Sequence, residues 1–362
     1  MADIEKARKE INECDREMAR LFEKRMAAVR EVARYKQERG LPVEDLAREG
    51  EVIAKNSEYI ENDVLREFYV NFLQTGMDIS KNYQRRLISG QKIAYSGVPG
   101  AFADLAARKI FPDGTTVPCA DFKAAYDAVV NGECDCALLP IENSYNGDVG
   151  QVMDLAYFGP LYINGVYQAE IVQNLLAVKG TTLDEVKSVI SHPQALGQCS
   201  GYIRKHGFES IEAVNTAVAA KTVADKGDHS LAAIGSARAA QLCGLKILES
   251  HINESGKNTT RFAVFSRAQK AESRNDNSFI MMFTVKNQPG CLGRAVSAIG
   301  ENGFNLRALK SRPTKELSWS YYFYAEGEGC INSFEGRRML NQLIPHCMDV
   351  KVIGSFEKEI AI

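Results

Sequence analysis

At 362 residues the chain is long enough for two or three domains, each with its own core. A formal charge of −2 excludes a global basic field for nucleic acid or anionic lipid, and 45% hydrophobic with 25% charged residues is the ordinary balance of a soluble globular protein. No apolar run reaches bilayer length, MADIEKARKE is no signal peptide, nine cysteines include no CxxC pair and five histidines do not cluster, so the expectation is a cytoplasmic protein with reduced thiols and neither metal nor cofactor.

Asp3 to Arg39 contains neither Pro nor Gly. Ile4, Ala7, Ile11, Cys14, Met18, Leu21, Arg25, Ala28, Val32 and Tyr35 alternate steps of three and four, the a/d seam of a long helix. Gly40 and Pro42 stop it; a short helix is predicted around Asp45–Asn56 and a third from about Asn62 to Leu87. Arg25 stands where the seam calls for an apolar side chain, and an unpaired buried guanidinium costs roughly several kcal/mol. Arg8 and Lys36 flank the seam at e positions, where salt-bridged edge residues are usual. At ~1.5 Å rise per residue, Arg25 and Lys36 lie roughly 16 Å apart and can converge on one ligand. Arg8 is ~26 Å from Arg25, so it joins such a site only from a partner chain's helix.

This segment resembles the all-helical class of chorismate mutase over its whole length. Arg8, Arg25, Lys36, Asp45, Arg48, Glu49, Ser80 and Gln84 fall at that family's active-site positions. The resemblance implies a dimer that rearranges chorismate to prephenate without nucleophile or proton donor. Arg8, Arg25 and Arg48 would clamp carboxylates, Lys36 and Gln84 would face the ether oxygen, Glu49 would hold the ring hydroxyl, and Asp45 and Ser80 would support them.

From residue 91 to about 267 predicted strands and helices alternate, an open α/β arrangement. Polar turns follow the strands: Ser96-Gly97, Glu142-Asn143-Ser144, Ser191-His192 and Gly235-Ser236. Each suits an N-cap as well as a ligand contact, and His192 before Pro193 suits a structural cap. Asn258-Thr259-Thr260-Arg261-Phe262 gathers an amide, two hydroxyls and a guanidinium, which fits either a small oxygenated anion or a strand opening with a surface ion pair.

Together G-V-P-G-A-F (97–102), L-P-I-E-N-S (139–144), S-H-P-Q-A-L-G-Q-C (191–199) and N-T-T-R-F (258–262) resemble prephenate dehydratase, in family order and spacing. The resemblance implies two α/β lobes around a cleft, like type II periplasmic solute-binding proteins, splitting near residues 170 and 257. It implies loss of CO2 and the ring hydroxyl from prephenate, giving phenylpyruvate. Thr260 would donate to the departing hydroxyl; a buried Glu142 with a raised pKa is the other candidate acid, and fixing its loop is Glu142's alternative role. Asn143, Ser191 and Gln198 would contact substrate, with Ser144 a further donor and Arg261 either pairing a carboxylate or locking the Thr260 loop.

Arg267 to Asn277 reads as a polar linker. Beyond it the predicted order is β-α-β-β-α-β, ferredoxin-like, with strands at Phe279–Val285, Asn305–Leu309, Leu317–Ala325 and Asp349–Ile353. This part resembles an ACT domain, implying phenylalanine as effector. The family's Gly-Ala-Leu site stands here as Gly290-Cys291-Leu292, and its Glu-Ser-Arg-Pro site as Lys310-Ser311-Arg312-Pro313, a basic residue for an acidic one. Asn287, Gly290, Leu292, Ser311 and Arg312 are the candidate effector contacts.

The expected architecture is therefore multidomain: an all-α chorismate mutase domain (1–89), an α/β two-lobed periplasmic-binding-protein-like dehydratase domain (91–267) and an α+β ferredoxin-like ACT domain (277–362). Its expected partners are chorismate, prephenate, phenylalanine and a second copy of the chain, with no nucleic acid and no membrane. A ligand-sensing protein, or an enzyme keeping one activity, is the alternative.

Overall fold

A computed structural model describes residues 4–254, 258–271, 273, 275–314 and 320–362. The chain divides into two compact units, Met1–Lys92 and Ile93–Ile362. Among the described residues no helix is long and apolar enough to cross a membrane.

The first unit is three helices: α1 (Ile4–Arg39), α2 (Leu46–Ser57) and α3 (Asp63–Ser89). Local chemistry sets their starts. Asp45 accepts from the Arg48 N–H to cap α2, and Asn62 accepts from Val64 and Leu65 to cap α3. Gly40, at φ 61, ends α1 in the left-handed region. The apolar seam does not face a core within one chain. Ile11, Leu21 and Val32 of α1, and Phe68 and Phe72 of α3, are exposed, and Ala33 and Met77 are the buried apolar residues. So small a core cannot stabilise three helices alone.

The second unit opens with β1 (Lys92–Ser96), α4 (Phe102–Ile110), β2 (Thr115–Cys119), α5 (Phe122–Val130), β3 (Cys136–Asn143), β4 (Gly147–Asp148), α6 (Gly150–Phe158) and β5 (Tyr162–Glu170). The chain then builds a second sheet from β6 (Asn174–Ala177), β7 (Ser188–Ser191), α7 (Pro193–Gln198), α8 (Ser200–His206), β8 (Glu209–Glu212), α9 (Thr216–Lys226), β9 (Leu231–Gly235), α10 (Ala237–Cys243) and β10 (Lys246–Glu249). It returns to the first sheet as β11 (Thr259–Ser266), which lies between β3 and β5. Two crossings between Glu170 and Thr259 therefore join two lobes.

β12 (Ser278–Thr284), α11 (Cys291–Gly300), β13 (Asn305–Pro313), β14 (Tyr321–Glu328), α12 (Phe334–Leu343) and β15 (Asp349–Phe356) follow in the ferredoxin-like order. Their antiparallel sheet runs β13-β14-β12-β15. The predicted strand start at Leu317 lies outside the described residues. This module shares its core with the first lobe. Ile280, Met282, Tyr322, Tyr324, Ile353 and Phe356 pack in one cluster with Leu139, Ile163, Val166 and Phe265. β16 (Ile360–Ala361) even joins the first lobe's sheet, parallel to β5. Arg267, in the expected linker, donates to the Cys134 carbonyl at 2.9 Å.

Several elements escaped the sequence reading. β5 is a nine-residue strand whose alternation is broken by Asn164-Gly165, a pair that reads as a turn. β13 was expected to stop at Leu309 but continues to Pro313. Its burial alternates, turning Ala308, Lys310 and Arg312 toward the first lobe.

An ion cluster sits where module and lobe meet. Arg261 donates to Glu359 at 2.8 Å, Glu142 at 2.7 Å and Glu326 at 2.6 Å. Glu326 is 1% exposed. Burial opposes the guanidinium charge, but Glu326 and the other carboxylates outweigh it and hold Arg261 charged. Arg261→Met should lower stability by about 3–5 kcal/mol, the cost of leaving a buried carboxylate unpaired. Denaturant titration checks this, with Arg20→Met, from an exposed helical pair, as the silent control.

Candidate functional site

In the helical unit α1 and α3 bring polar groups together. Arg25 donates to Ser80 Oγ and to the Gly76 carbonyl at 3.1 Å. Gln84 lies one turn beyond Ser80, is 7% exposed, and its Oε1 has no protein partner. Lys36 Nζ reaches the Val43 carbonyl at 2.5 Å. Glu49 is paired by Lys81 at 2.9 Å, a cation the sequence reading missed although it adjoins Ser80. Asp45 has its carboxylate at the α2 cap. Arg48 and Arg8 are exposed and pair locally, with Glu51 and Glu5. Arg8 is thus outside the Arg25–Ser80–Gln84 group of its own chain.

In the second unit a cleft of about 610 Å³ opens between the lobes. Helix N-termini crowd it. Its lining includes Ala101–Ala103 at the start of α4, Phe122 of α5, Val149–Gln151 at α6, His192 and Gln194 at α7, and Asn215–Thr216 at α9. Side chains cap α5, α7 and α9: Asp121, His192 and Asn215 each accept a backbone N–H. α4 and α6 have no side-chain cap. Free N–H groups with the positive end of a helix dipole make an anion site. Asp148 is the one charged side chain among the described lining residues. What the described lining offers a carboxylate is backbone N–H rather than guanidinium.

One hydrogen-bond relay runs along the cleft floor, and backbone groups fix its direction. Asn143 Oδ1 accepts from the N–H groups of Tyr145 and Asn146, at 3.0 and 3.1 Å. Its Nδ2 must then donate, and its acceptors are Thr260 Oγ1 at 3.0 Å, the Thr259 carbonyl at 3.1 Å and Asn258 Oδ1 at 3.2 Å. Asn258 in turn donates to Gln198 Oε1 at 2.9 Å, which also accepts from Gln173. Thr260 Oγ1 is an acceptor in this chain, so its own proton is left for another acceptor. Thr260, Asn143, Gln198 and Gln173 all line the cleft. Asn258 and Gln173 were not among the predicted residues; Asn258 stood in the N-T-T-R-F motif, but nothing local marked Gln173.

Four of the expected contacts already have protein partners in this structure. Arg261 lies on the strand face opposite Thr260 and is spent on three carboxylates. Ser144 Oγ accepts from the Thr259 N–H and straps β3 to β11, outside the lining. Ser191 is fully buried and donates to the Ile234 carbonyl at 2.6 Å. Arg312, offered as an effector contact, pairs bidentately with Asp154 at 2.8 and 3.0 Å because β13 continues through it. Ser311 faces the other way and is exposed; Asn287 and Gly290 are exposed in the loop before α11, and Leu292 is half-buried. His192 Nδ1 accepts from the Gln194 N–H, the cap expected of it.

Glu142 is no acid at neutral pH. Burial would raise its pKa, but hydrogen bonds from Arg261 and Lys310 outweigh burial and hold it below its ordinary value of 4.5. It faces the ion cluster, not the cleft.

A family model for prephenate dehydratase matches residues 93–270, and one for chorismate mutase type II matches residues 7–85. Over 285 residues the chain is 32% identical to arogenate dehydratase/prephenate dehydratase 1 of Arabidopsis thaliana, spanning 74% of this chain and 72% of that one. It is 28% identical to the bifunctional chorismate mutase/prephenate dehydratase of Aquifex aeolicus over 99% of both chains. The prephenate dehydratase of Arthrobacter aurescens, solved in complex with L-Phe, matches with a TM-score of 0.69 at 25% identity, covering 74% of this chain and 90% of that one. The chain belongs to the prephenate dehydratase family. With a chorismate mutase segment ahead of the dehydratase, it is a bifunctional enzyme carrying both activities.

The depressed Glu142 pKa has a pH signature. Its stabilisation is complete above 4.5 and is lost as pH falls through the lower folded value. Melting temperature should therefore fall steeply below about pH 4.5. Glu142→Gln should flatten that acid limb while lowering stability at pH 7, both read by thermal scans across pH 3–7.

Proposed function

We propose that the helical unit performs the mutase step through Arg25, Lys36, Ser80 and Gln84, and that the inter-lobe cleft performs the dehydratase step through Thr260. The mutase site needs only to hold a dicarboxylate compactly and stabilise charge growing on the ether oxygen. Arg25 serves a carboxylate, with Ser80 setting its guanidinium. Lys36 and Gln84 serve the ether oxygen, and Glu49, held by Lys81, the ring hydroxyl. Arg8 and Arg48 complete the clamp, Arg8 from a second copy. The exposed seam of α1 and the apolar face of α3 support such a dimer, since they leave apolar side chains uncovered among the described residues.

In the dehydratase cleft the carrying observation is the direction of the relay. Asn143 donates to Thr260 Oγ1, so the threonine proton is free for the substrate's ring hydroxyl. Thr260 polarises and orients that leaving group, Asn143 and Gln198 position it, and the uncapped N-termini of α4 and α6 hold the carboxylates. One C–C bond breaks to release CO2, its electrons enter the ring, and the C–O bond breaks as the hydroxyl takes a proton and leaves as water. Aromatisation drives the step.

The functional parts are 1–89 for the mutase, 91–267 for the dehydratase and 277–362 for an ACT regulatory module binding phenylalanine. Asn287, Gly290 and Leu292 are its candidate contacts. Supporting that reading are the ferredoxin-like order and the phenylalanine bound to the Arthrobacter enzyme. We place the enzyme in the cytoplasm, where its nine free cysteines would stay reduced.

Thr260→Ala should cut phenylpyruvate formation by about a hundred- to a thousandfold, as loss of a transition-state donor does, while chorismate loss continues. Arg25→Ala should do the reverse. Chorismate loss reads the mutase and phenylpyruvate gain from supplied prephenate reads the dehydratase, and survival of the step a variant should lose rejects that assignment. Separately, excess phenylalanine should lower dehydratase turnover of the full chain; turnover indifferent to it rejects the effector.

A further inference from the structure

We propose that Lys310, from the C-terminal module, is a positioning residue of the dehydratase cleft: it neutralises Asp148, the charged side chain in the cleft wall. The inference rests on the cleft being the dehydratase site.

Prephenate carries two carboxylates. A carboxylate in the wall of its site repels it unless countered, and the lining holds no lysine or arginine among the described residues. Lys310 Nζ binds Asp148 Oδ1 and lies 3.0 Å from Glu142 Oε1. Arg261, the nearest other cation on Glu142, is committed to Glu142, Glu326 and Glu359. Burial lowers the Lys310 pKa, but its hydrogen bonds to Asp148 and Glu142 raise it more, so the ammonium stays charged.

The local frame makes the contact consequential. Asp148 sits in β4 opposite Glu142, and Gly147 sits opposite Asn143, the residue that binds Thr260. Two residues on, Gly150 begins α6, whose uncapped N-terminus faces the cleft. A Cβ there would collide with the guanidinium of Arg312. β13 thus braces the 147–150 segment at two points, one of them ionic. A glutamate at position 310, as the ACT resemblance led one to expect, would face two carboxylates here.

The test is steady-state kinetics on the full chain with prephenate. Lys310→Met should raise KM about tenfold, the scale of one partly screened charge repulsion, with a smaller change in kcat. Added KCl should narrow the gap from wild type, since salt screens that repulsion. Lys310→Arg should restore KM, and Lys310→Met/Asp148→Asn should recover most of the loss, because the offending charge is gone. Denaturant titration of the same samples reports folding. A Lys310→Met KM within about twofold of wild type overturns the proposal. So does an Asp148→Asn change that fails to rescue, which would leave Lys310 a merely structural tie. Full dehydratase activity in Thr260→Ala would instead reject the cleft itself.

Discussion

A β-strand sends successive side chains to opposite faces, and β11 puts that constraint to use between its two neighbours. Thr260 and Phe262 line the cleft, while Arg261 between them enters the ion cluster. β3 divides the same way: Asn143, opposite Thr260, turns to the cleft, and Glu142, opposite Arg261, turns to the cluster. Two paired strands therefore hold Thr260, the proposed donor, on one side and the joint to the C-terminal module on the other. Moving either face moves both, because the strands are hydrogen-bonded in the middle of a sheet.

The two proposed sites offer a carboxylate different physics. The helical unit places arginine and lysine side chains near a small polar group, with long flexible cations that must be ordered. The cleft gathers helix N-termini, whose N–H groups are already fixed by the fold. Backbone donors lose little freedom on binding and cannot be read from a side-chain motif. Of the two roles open to Arg261, the one cation of N-T-T-R-F, the ion cluster fits the locking of the Thr260 strand, since strand alternation turns its side chain away from the cleft.

The C-terminal module is joined to the first lobe by more than a linker. Shared aromatic and aliphatic packing, the β16 pairing with β5 and the cluster around Arg261 give one contiguous core. Arg312 and Tyr322 grip Asp154 of α6. A module so attached cannot shift its β13 strand without disturbing the cleft-lining segment that follows β3.

By itself the sequence determined the element types that carry strong periodicity or chemistry. The Pro- and Gly-free heptads of α1, the approximate ranges of α2 and α3, the β-α-β-β-α-β order and the motifs bearing Thr260, Asn143 and Gln198 were all legible, because each depends on neighbours in the chain. The tertiary structure alone decided which side chains share a space. It gave Arg261, Ser144, Ser191 and Arg312 partners within the protein, brought Gln173 to the cleft floor and set Asn258 behind it on Gln198. It also set Lys310 beside Asp148, 162 positions away in the chain. Hydrogen-bond partners across such separations follow from sheet register and lobe packing, which no local pattern encodes.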